Sequence, residues 1–152
     1  MRTKKAPPFE GHGVHIALVR ETPARLLPAT YIRGPDDIAR LARDLTDTDR
    51  EHFAVILLNT KNRVLGVNIV SIGTIDAALV SPRELFKPVL LASASKVICC
   101  HNHPSDDPAP SDEDIQVTHR LKQAGEILGI PVLDHVILGS DSHFSMLEHG
   151  LL

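Results

Sequence analysis

The pattern of apolar and polar residues changes along the chain between strand-like and helix-like periods. Short β-branched or apolar runs predict strands at residues 14–20, 53–58, 63–71, 96–100, 132–138 and 143–147. Apolar residues at helical spacing predict helices at residues 37–45, 81–93 and 111–129. Because helices interleave with strands and hairpins, we expect an α/β (α+β) fold with a mixed β-sheet flanked by helices.

Two of the predicted helices begin with capping signals. Ser81 can act as an N-cap, Pro82 suits the first helical position, and Glu84 completes a capping box. Ser111 and Asp114 have the same relation at the start of the last helix. The segment 104–110 contains three prolines and is therefore predicted to be a loop.

Length and composition are those of one globular domain. The chain has 152 residues, of which 43% are hydrophobic, and we assign residues 1–12 to a flexible arm and residues 13–152 to a single domain. A net charge of −3 and an aromatic content of 3% argue against direct binding to nucleic acid.

The longest apolar run, residues 53–58, is far shorter than the roughly 20 residues of a membrane helix. Adjacent Cys99 and Cys100 suggest no disulfide, so we expect a cytoplasmic protein without a membrane segment.

The chemistry is concentrated at the end of the predicted strand 96–100. His101 and His103 are two residues apart, so an extended backbone would point both imidazoles to one side. Asp114, in the first turn of the next helix, could supply a third ligand, and three protein ligands plus water form an open zinc site. The proton shuttle that such a site needs could be Glu51, Glu84 or Glu113, and spacing does not choose among them.

Simpler explanations exist for the same residues. One pair of histidines is a weak signal in a chain with nine, and Ser111 with Asp114 is a normal helix cap. Cys99 and Cys100 could be ligands or reactive thiols, but a buried apolar strand is the preferred interpretation. Asp134 and His135 could form a functional pair, although a strand histidine held by hydrogen bonds is preferred.

The order His101-x-His103-Pro104 followed by Ser111-x-x-Asp114 resembles the JAMM (MPN+) signature of zinc-dependent isopeptidases. More closely, residues 14–152 resemble the JAMM-like domain of the bacterial RadC family. The segments that resemble RadC sequences also include residues 49–53, 59–63, 70–74, 81–84 and 132–139.

The resemblance implies a JAMM/MPN-like fold with a cytidine deaminase-like layout. It also implies that Zn²⁺ is held by His101, His103 and Asp114, that Glu51 is the general base, and that Ser111 helps to bind the developing oxyanion. The implied reaction is hydrolysis of a peptide or isopeptide bond in a protein or peptide substrate. The sequence leaves the natural substrate and the oligomeric state open.

The chain departs from the family pattern at two positions, where Ser81 replaces a frequent histidine and Asp106 a frequent glycine. Longer RadC proteins carry a helix-hairpin-helix module ahead of this domain, and we do not transfer its DNA contacts to this chain.

Two alternatives to a hydrolase are a non-catalytic metal-binding module and a DNA-repair-associated interaction module of the RadC family.

Overall fold

A computed structural model of the chain describes residues 30–73 and 80–152. The predicted arm 1–12 and the predicted strand 14–20 lie outside the described residues. The helices are α1 (Pro35–Leu41), α2 (Pro82–Leu91) and α3 (Asp112–Leu128). The strands are β1 (His52–Leu58), β2 (Val64–Ile72), β3 (Lys96–Asn102), β4 (Val132–Leu138) and β5 (His143–Ser145).

The strands form one mixed sheet in the order β2-β1-β3-β4-β5. Strands β1 and β2 are the predicted antiparallel hairpin, and β1 also pairs antiparallel with β3. Strand β3 pairs parallel with β4, because α3 forms the crossover that returns the chain to the same end of the sheet. The mixed sheet with flanking helices confirms the predicted fold class.

The two faces of the sheet carry separate apolar cores. Alternate residues of β1 and β3, including Phe53 and Cys99, pack against the buried faces of α2 and α3. The intervening residues, including Ala54 and Cys100, pack with α1 on the opposite face. Burial raises the pKa of both thiols, and that of Cys100 to about 12, so both remain protonated. The cysteines therefore belong to the buried apolar strand, as the preferred interpretation had it.

Helices α2 and α3 begin at their predicted caps, whereas the first predicted helix differs from the prediction. The predicted helix 37–45 is divided, because α1 ends at Leu41 and a short 3₁₀ turn follows at Arg43–Leu45. At α2, the Ser81 Oγ atom accepts a hydrogen bond from the Glu84 backbone N–H at 3.4 Å. Helix α3 ends at Leu128 and is capped by Gly129, whose φ of 69° is left-handed and suits a residue without a Cβ atom.

Two strands differ in length from the prediction. Strand β3 continues to Asn102, so His101 is inside the sheet rather than just after it. Strand β5 ends at Ser145, and the chain then turns back, with the Leu151 N–H donating to the Met146 carbonyl at 2.8 Å. None of the helices in the described residues combines the length and the hydropathy that crossing a bilayer requires.

The pairing of β3 with β4 contains an irregularity that affects the site. Val97 is opposite Val132, but Cys99 is opposite His135, so three steps along β4 match two steps along β3. Val132 packs in the α2–α3 core, and His135 contacts α3 as well. Regular alternation would place two side chains three residues apart on opposite faces, so the irregularity turns His135 toward α3.

Candidate metal centre

The end of β3 and the first turn of α3 bring His101, His103 and Asp114 together. The His101 Nε2 atom is 2.9 Å from His103 Nε2 and 3.3 Å from Asp114 Oδ1. His103 Nε2 is 3.5 Å from Asp114 Oδ2. His101 is fully buried and Asp114 is 3% exposed, whereas the side chain of His103 is 14% exposed. The predicted ligands therefore form one compact group that opens to solvent on the His103 side.

The proline-containing loop turns the ring of His103 toward the other two groups. Its Nδ1–H donates to the Asp107 carbonyl at 2.7 Å, and its backbone N–H donates to the Leu138 carbonyl at 2.9 Å. Within the loop, Asp106 has a φ of 65°, in the left-handed region that favours glycine. This conformation explains why glycine suits the position in the resembling family, and aspartate is among the residues that tolerate it best.

The three groups fit a zinc ion in both chemistry and size. Two imidazole nitrogens and a carboxylate oxygen are a common zinc ligand set, and bonds of about 2.0–2.1 Å separate tetrahedral ligands by about 3.3–3.4 Å. The distance from the His101 Nε2 atom to Asp114 Oδ1, 3.3 Å, matches this separation, and one ligand atom from each of the three residues lies within 4.8 Å of the others. The two ring nitrogens, 2.9 Å apart, would need to separate by only a few tenths of an ångström.

Asp114 also caps its own helix, and the two roles use different oxygens. Its Oδ2 atom accepts hydrogen bonds from the Ser111 N–H at 2.8 Å and from the Ser111 Oγ–H at 2.7 Å. The Ser111 Oγ atom in turn accepts from the Asp114 N–H at 3.1 Å, which completes a capping box. The capping box leaves Oδ1 directed at His101, so the same interactions that start α3 also orient a metal ligand.

The capping box bears on the predicted role of Ser111 with a substrate. A serine hydroxyl has one proton, and here that proton is directed at Asp114 Oδ2. Ser111 is exposed to solvent. Donation to an oxyanion therefore requires the hydroxyl to turn away from Asp114, and this role stays a prediction.

Burial and mutual charge set the protonation of the group. Burial is the main cause that lowers the pKa of His101 well below its ordinary value, and electrostatic coupling to the neighbouring His135 ring acts in the same direction. The hydrogen bond with Asp114 raises the pKa of His103 despite partial burial. Burial opposes ionisation of Asp114, but the hydrogen bond from His103, the charge of His101 and the contacts with Ser111 outweigh it, so the pKa of Asp114 is lowered. The site thus combines an ionised carboxylate with a neutral buried imidazole.

Glu51 lies directly before β1 and near the exposed side of the group. Its charge is among the influences that raise the pKa of His103, and neither Glu84 nor Glu113 is. Glu84 and Glu113 are exposed in the first turns of α2 and α3. Of the three glutamates that the spacing allowed, Glu51 is therefore the one whose charge reaches the candidate ligands, and its role as the proton shuttle stays a prediction.

Asn102, which the sequence reasoning missed, holds the segment that carries Glu51. Its Oδ1 atom accepts from the His52 N–H at 2.7 Å, and its Nδ2 atom donates to the Arg50 carbonyl at 3.0 Å. Asn102 is 1% exposed and lies between the two histidines in sequence, so its side chain leaves the strand in a different direction from theirs. The signal available in the sequence was an asparagine directly between two candidate ligands at the end of a predicted strand.

Asp134 and His135 do not act as a pair, because their side chains bind different partners. Asp134 accepts hydrogen bonds from Ser145 Oγ at 2.6 Å and from the Leu147 N–H at 3.0 Å. The His135 ring contacts His101 and Thr118 instead. The preferred interpretation, a strand histidine held by hydrogen bonds, is confirmed, and Thr118 is a further residue that sequence reasoning missed.

Comparison with known proteins identifies the family. A family model described as "RadC-like JAB domain" matches residues 32–151. The chain belongs to this family. As a RadC-like JAB domain it has the fold that the RadC resemblance implied, and its candidate metal ligands all lie inside the matched region.

Curated relatives support the same assignment. The chain is 53% identical over 122 residues to a UPF0758 protein of Desulforamulus reducens, which covers 80% of this chain and 54% of the relative. A UPF0758 protein of Moorella thermoacetica is 49% identical over 138 residues, covering 90% of this chain and 60% of the relative. One of Rubrobacter xylanophilus is 52% identical over 122 residues, covering 80% and 53%. The chain thus spans little more than half the length of these relatives, and their shared name states no activity.

Proposed function

We propose that this RadC-like JAB domain is a zinc-dependent hydrolase of the JAMM type that cleaves peptide or isopeptide bonds. The observation that carries the proposal is the convergence of His101 Nε2, His103 Nε2 and an Asp114 carboxylate oxygen within 4.8 Å of one another. A group with this composition, opening to solvent beside a glutamate, is suited to hydrolysis by activated water.

Each residue has a defined task in this proposal. His101, His103 and Asp114 would hold zinc, which when bound polarises an amide carbonyl and lowers the pKa of water to about 7. The Glu51 carboxylate accepts a proton from the attacking water and returns it to the leaving amine nitrogen. The Ser111 hydroxyl turns from Asp114 Oδ2 to donate to the carbonyl oxygen as negative charge develops there.

The proposed substrate is a protein or peptide, and the proposed location is the cytoplasm. A net charge of −3 gives no general attraction for the phosphate backbone, so direct binding to nucleic acid is not part of the proposal. Steeply salt-dependent binding to duplex DNA would instead favour the DNA-repair-associated module.

The test combines metal content with cleavage of peptide and isopeptide libraries. After zinc-replete expression, the zinc content of each purified protein is measured by elemental mass spectrometry. Cleavage is then followed for the wild type, Glu51→Gln and Glu113→Gln. Glu113 is a matched control because it is an exposed glutamate in the first turn of α3. We expect stoichiometric zinc in all three and loss of cleavage only in Glu51→Gln.

Three results would contradict the proposal in different ways. Absence of zinc removes the metal centre, and cleavage that survives Glu51→Gln removes the assigned base. Zinc binding without cleavage of any library member favours the non-catalytic metal-binding module.

A further inference from the structure

Behind the candidate metal ligands, two buried polar residues extend from His101 into the protein. The His101 Nδ1 atom is 2.8 Å from His135 Nε2, and His135 Nδ1 is 2.5 Å from Thr118 Oγ1. All three side chains are fully buried. Buried polar groups of this kind need defined donors and acceptors, so the position of each proton can be worked out from the contacts.

The hydroxyl of Thr118 determines the first proton. Its Oγ1 atom is 2.6 Å from the Asp114 carbonyl oxygen, which can only accept, so the threonine must donate there. Met146 Sδ, at 3.3 Å from Thr118 Oγ1, is a much weaker acceptor. If the threonine donated to this sulfur instead, its proton would still not be directed at His135. Because the hydroxyl has one proton, Thr118 Oγ1 must accept from His135, and His135 carries its hydrogen on Nδ1.

His135 then determines the tautomer of His101. The ring of His135 also contacts the edge of Phe53, with centroids 5.1 Å apart, and its described hydrogen-bonding partners include no carboxylate. A fully buried ring without a carboxylate partner is neutral, so Nε2 of His135 is an acceptor. The bond at 2.8 Å is therefore donated by His101 Nδ1–H, which leaves the His101 Nε2 lone pair facing His103 and Asp114.

We propose that Thr118 and His135 are positioning residues that hold His101 in the Nδ1–H tautomer, with Nε2 presented as a metal donor. The proposal rests on the metal centre proposed above. His103 obtains the same orientation from the Asp107 backbone carbonyl in its loop. His101 lies within β3, which is paired with β1 on one side and β4 on the other. The acceptor for its Nδ1–H is therefore a side chain, His135 of β4, and not a loop carbonyl.

The arrangement also links two ligands through one helix. Thr118 lies one turn after Asp114 in α3 and bonds to its carbonyl oxygen. The same helical turn therefore carries one ligand and starts the hydrogen-bond chain that orients another. A shift of α3 would move Asp114 and release the His101 ring together.

The first experiment determines the tautomer without metal. Nitrogen-15 correlation spectra of the imidazole rings in the metal-free wild-type protein should show His101 and His135 both as Nδ1–H. Assignment of His101 uses the spectrum of His101→Gln. A predominant Nε2–H form of His101 would overturn the proposal, whether or not the protein binds zinc.

The second experiment measures zinc affinity in two matched pairs of variants by chelator competition. His135→Phe keeps an aromatic ring but removes the acceptor, whereas His135→Gln keeps an oxygen near the position of Nε2. Thr118→Val removes the hydroxyl, whereas Thr118→Ser keeps it. We expect Kd to rise about 10- to 100-fold for His135→Phe and Thr118→Val, with substantial rescue in the glutamine and serine variants.

These readouts separate this proposal from the proposed function. If the wild type binds no zinc, the metal centre fails, and the ring spectra still decide the tautomer. If His135→Phe and Thr118→Val are folded by circular dichroism and bind zinc within about twofold of the wild type, the positioning role is wrong. If one of them fails to fold, the other pair and the wild-type spectra give the answer.

Discussion

The hydroxyl group of Ser111 makes two hydrogen bonds that a Ser111→Ala variant would remove. One accepts the Asp114 N–H at 3.1 Å and caps α3, and the other donates to Asp114 Oδ2 at 2.7 Å. Ser81 makes only the first kind of bond, to the Glu84 N–H at 3.4 Å in α2. Ser81→Ala is therefore a matched control that removes a serine cap from a different helix, where the hydroxyl bonds to no candidate ligand.

The structure supports an estimate for each variant. Loss of a serine cap costs about 0.5–2 kcal/mol, and the long bond at Ser81 places Ser81→Ala at the low end, about 0.5–1 kcal/mol. Ser111→Ala loses a shorter cap and a bond to a carboxylate, so its cost is about 2 kcal/mol. For a domain of this size these values lower Tm by about 1–4 °C and about 4–8 °C respectively.

Urea unfolding of the metal-free proteins measures the stability difference, and chelator competition measures zinc affinity. Without its hydroxyl partner the Asp114 carboxylate is less firmly oriented, so we expect Ser111→Ala to weaken zinc binding about tenfold. We expect Ser81→Ala to leave zinc affinity unchanged. Equal destabilisation of the two variants, or equal zinc affinity, would refute the idea that one hydroxyl both caps α3 and orients a ligand.

Three further predictions concern other parts of the site. A Cβ atom on Gly139 would lie 2.5 Å from the Asp106 carbonyl oxygen, so Gly139→Ala should cost about 1–3 kcal/mol in urea unfolding and weaken zinc binding. Gly66→Ala, whose nearest contact is 3.8 Å, should change neither. For the proposed cleavage, Asn102→Ala should reduce kcat about tenfold by releasing the segment before β1, and metal analysis should show the same zinc content as in the wild type. Zinc at 100 times its Kd should stabilise the wild type by about 2.7 kcal/mol in calorimetry, and EDTA or Asp114→Asn should abolish that gain; an unchanged Tm would contradict the metal centre.

Much of the secondary structure follows from short-range signals in the sequence. Ser81 and Ser111 mark helix starts because each hydroxyl reaches a backbone N–H three residues ahead. The turn before Arg63 joins two apolar runs, which predicts the hairpin of β1 and β2. The spacing of His101 and His103 places both rings on one side because an extended backbone repeats every two residues.

The residues alone did not select the proton shuttle. Spacing left Glu51, Glu84 and Glu113 equivalent, and only the family resemblance favoured the first. In the structure, Phe53 pairs with His101, and this pairing places the residue before β1 beside the end of β3. Strand pairing joins segments about 50 residues apart, so no local pattern could contain this information.

The family, the mixed fold and the three candidate ligands could be predicted from the sequence, because they depend on local motifs and on the order of strands and helices along the chain. The surroundings of those ligands could not. His135 faces α3 only because three residues of β4 span the same length as two residues of β3 at the register irregularity. With a strict two-residue period, its side chain would lie on the opposite face of the sheet. The tautomer of His101 depends on this irregularity and on the contact with Thr118. Both arise from the packing of α3 and β4 against β3, which only the tertiary structure decides.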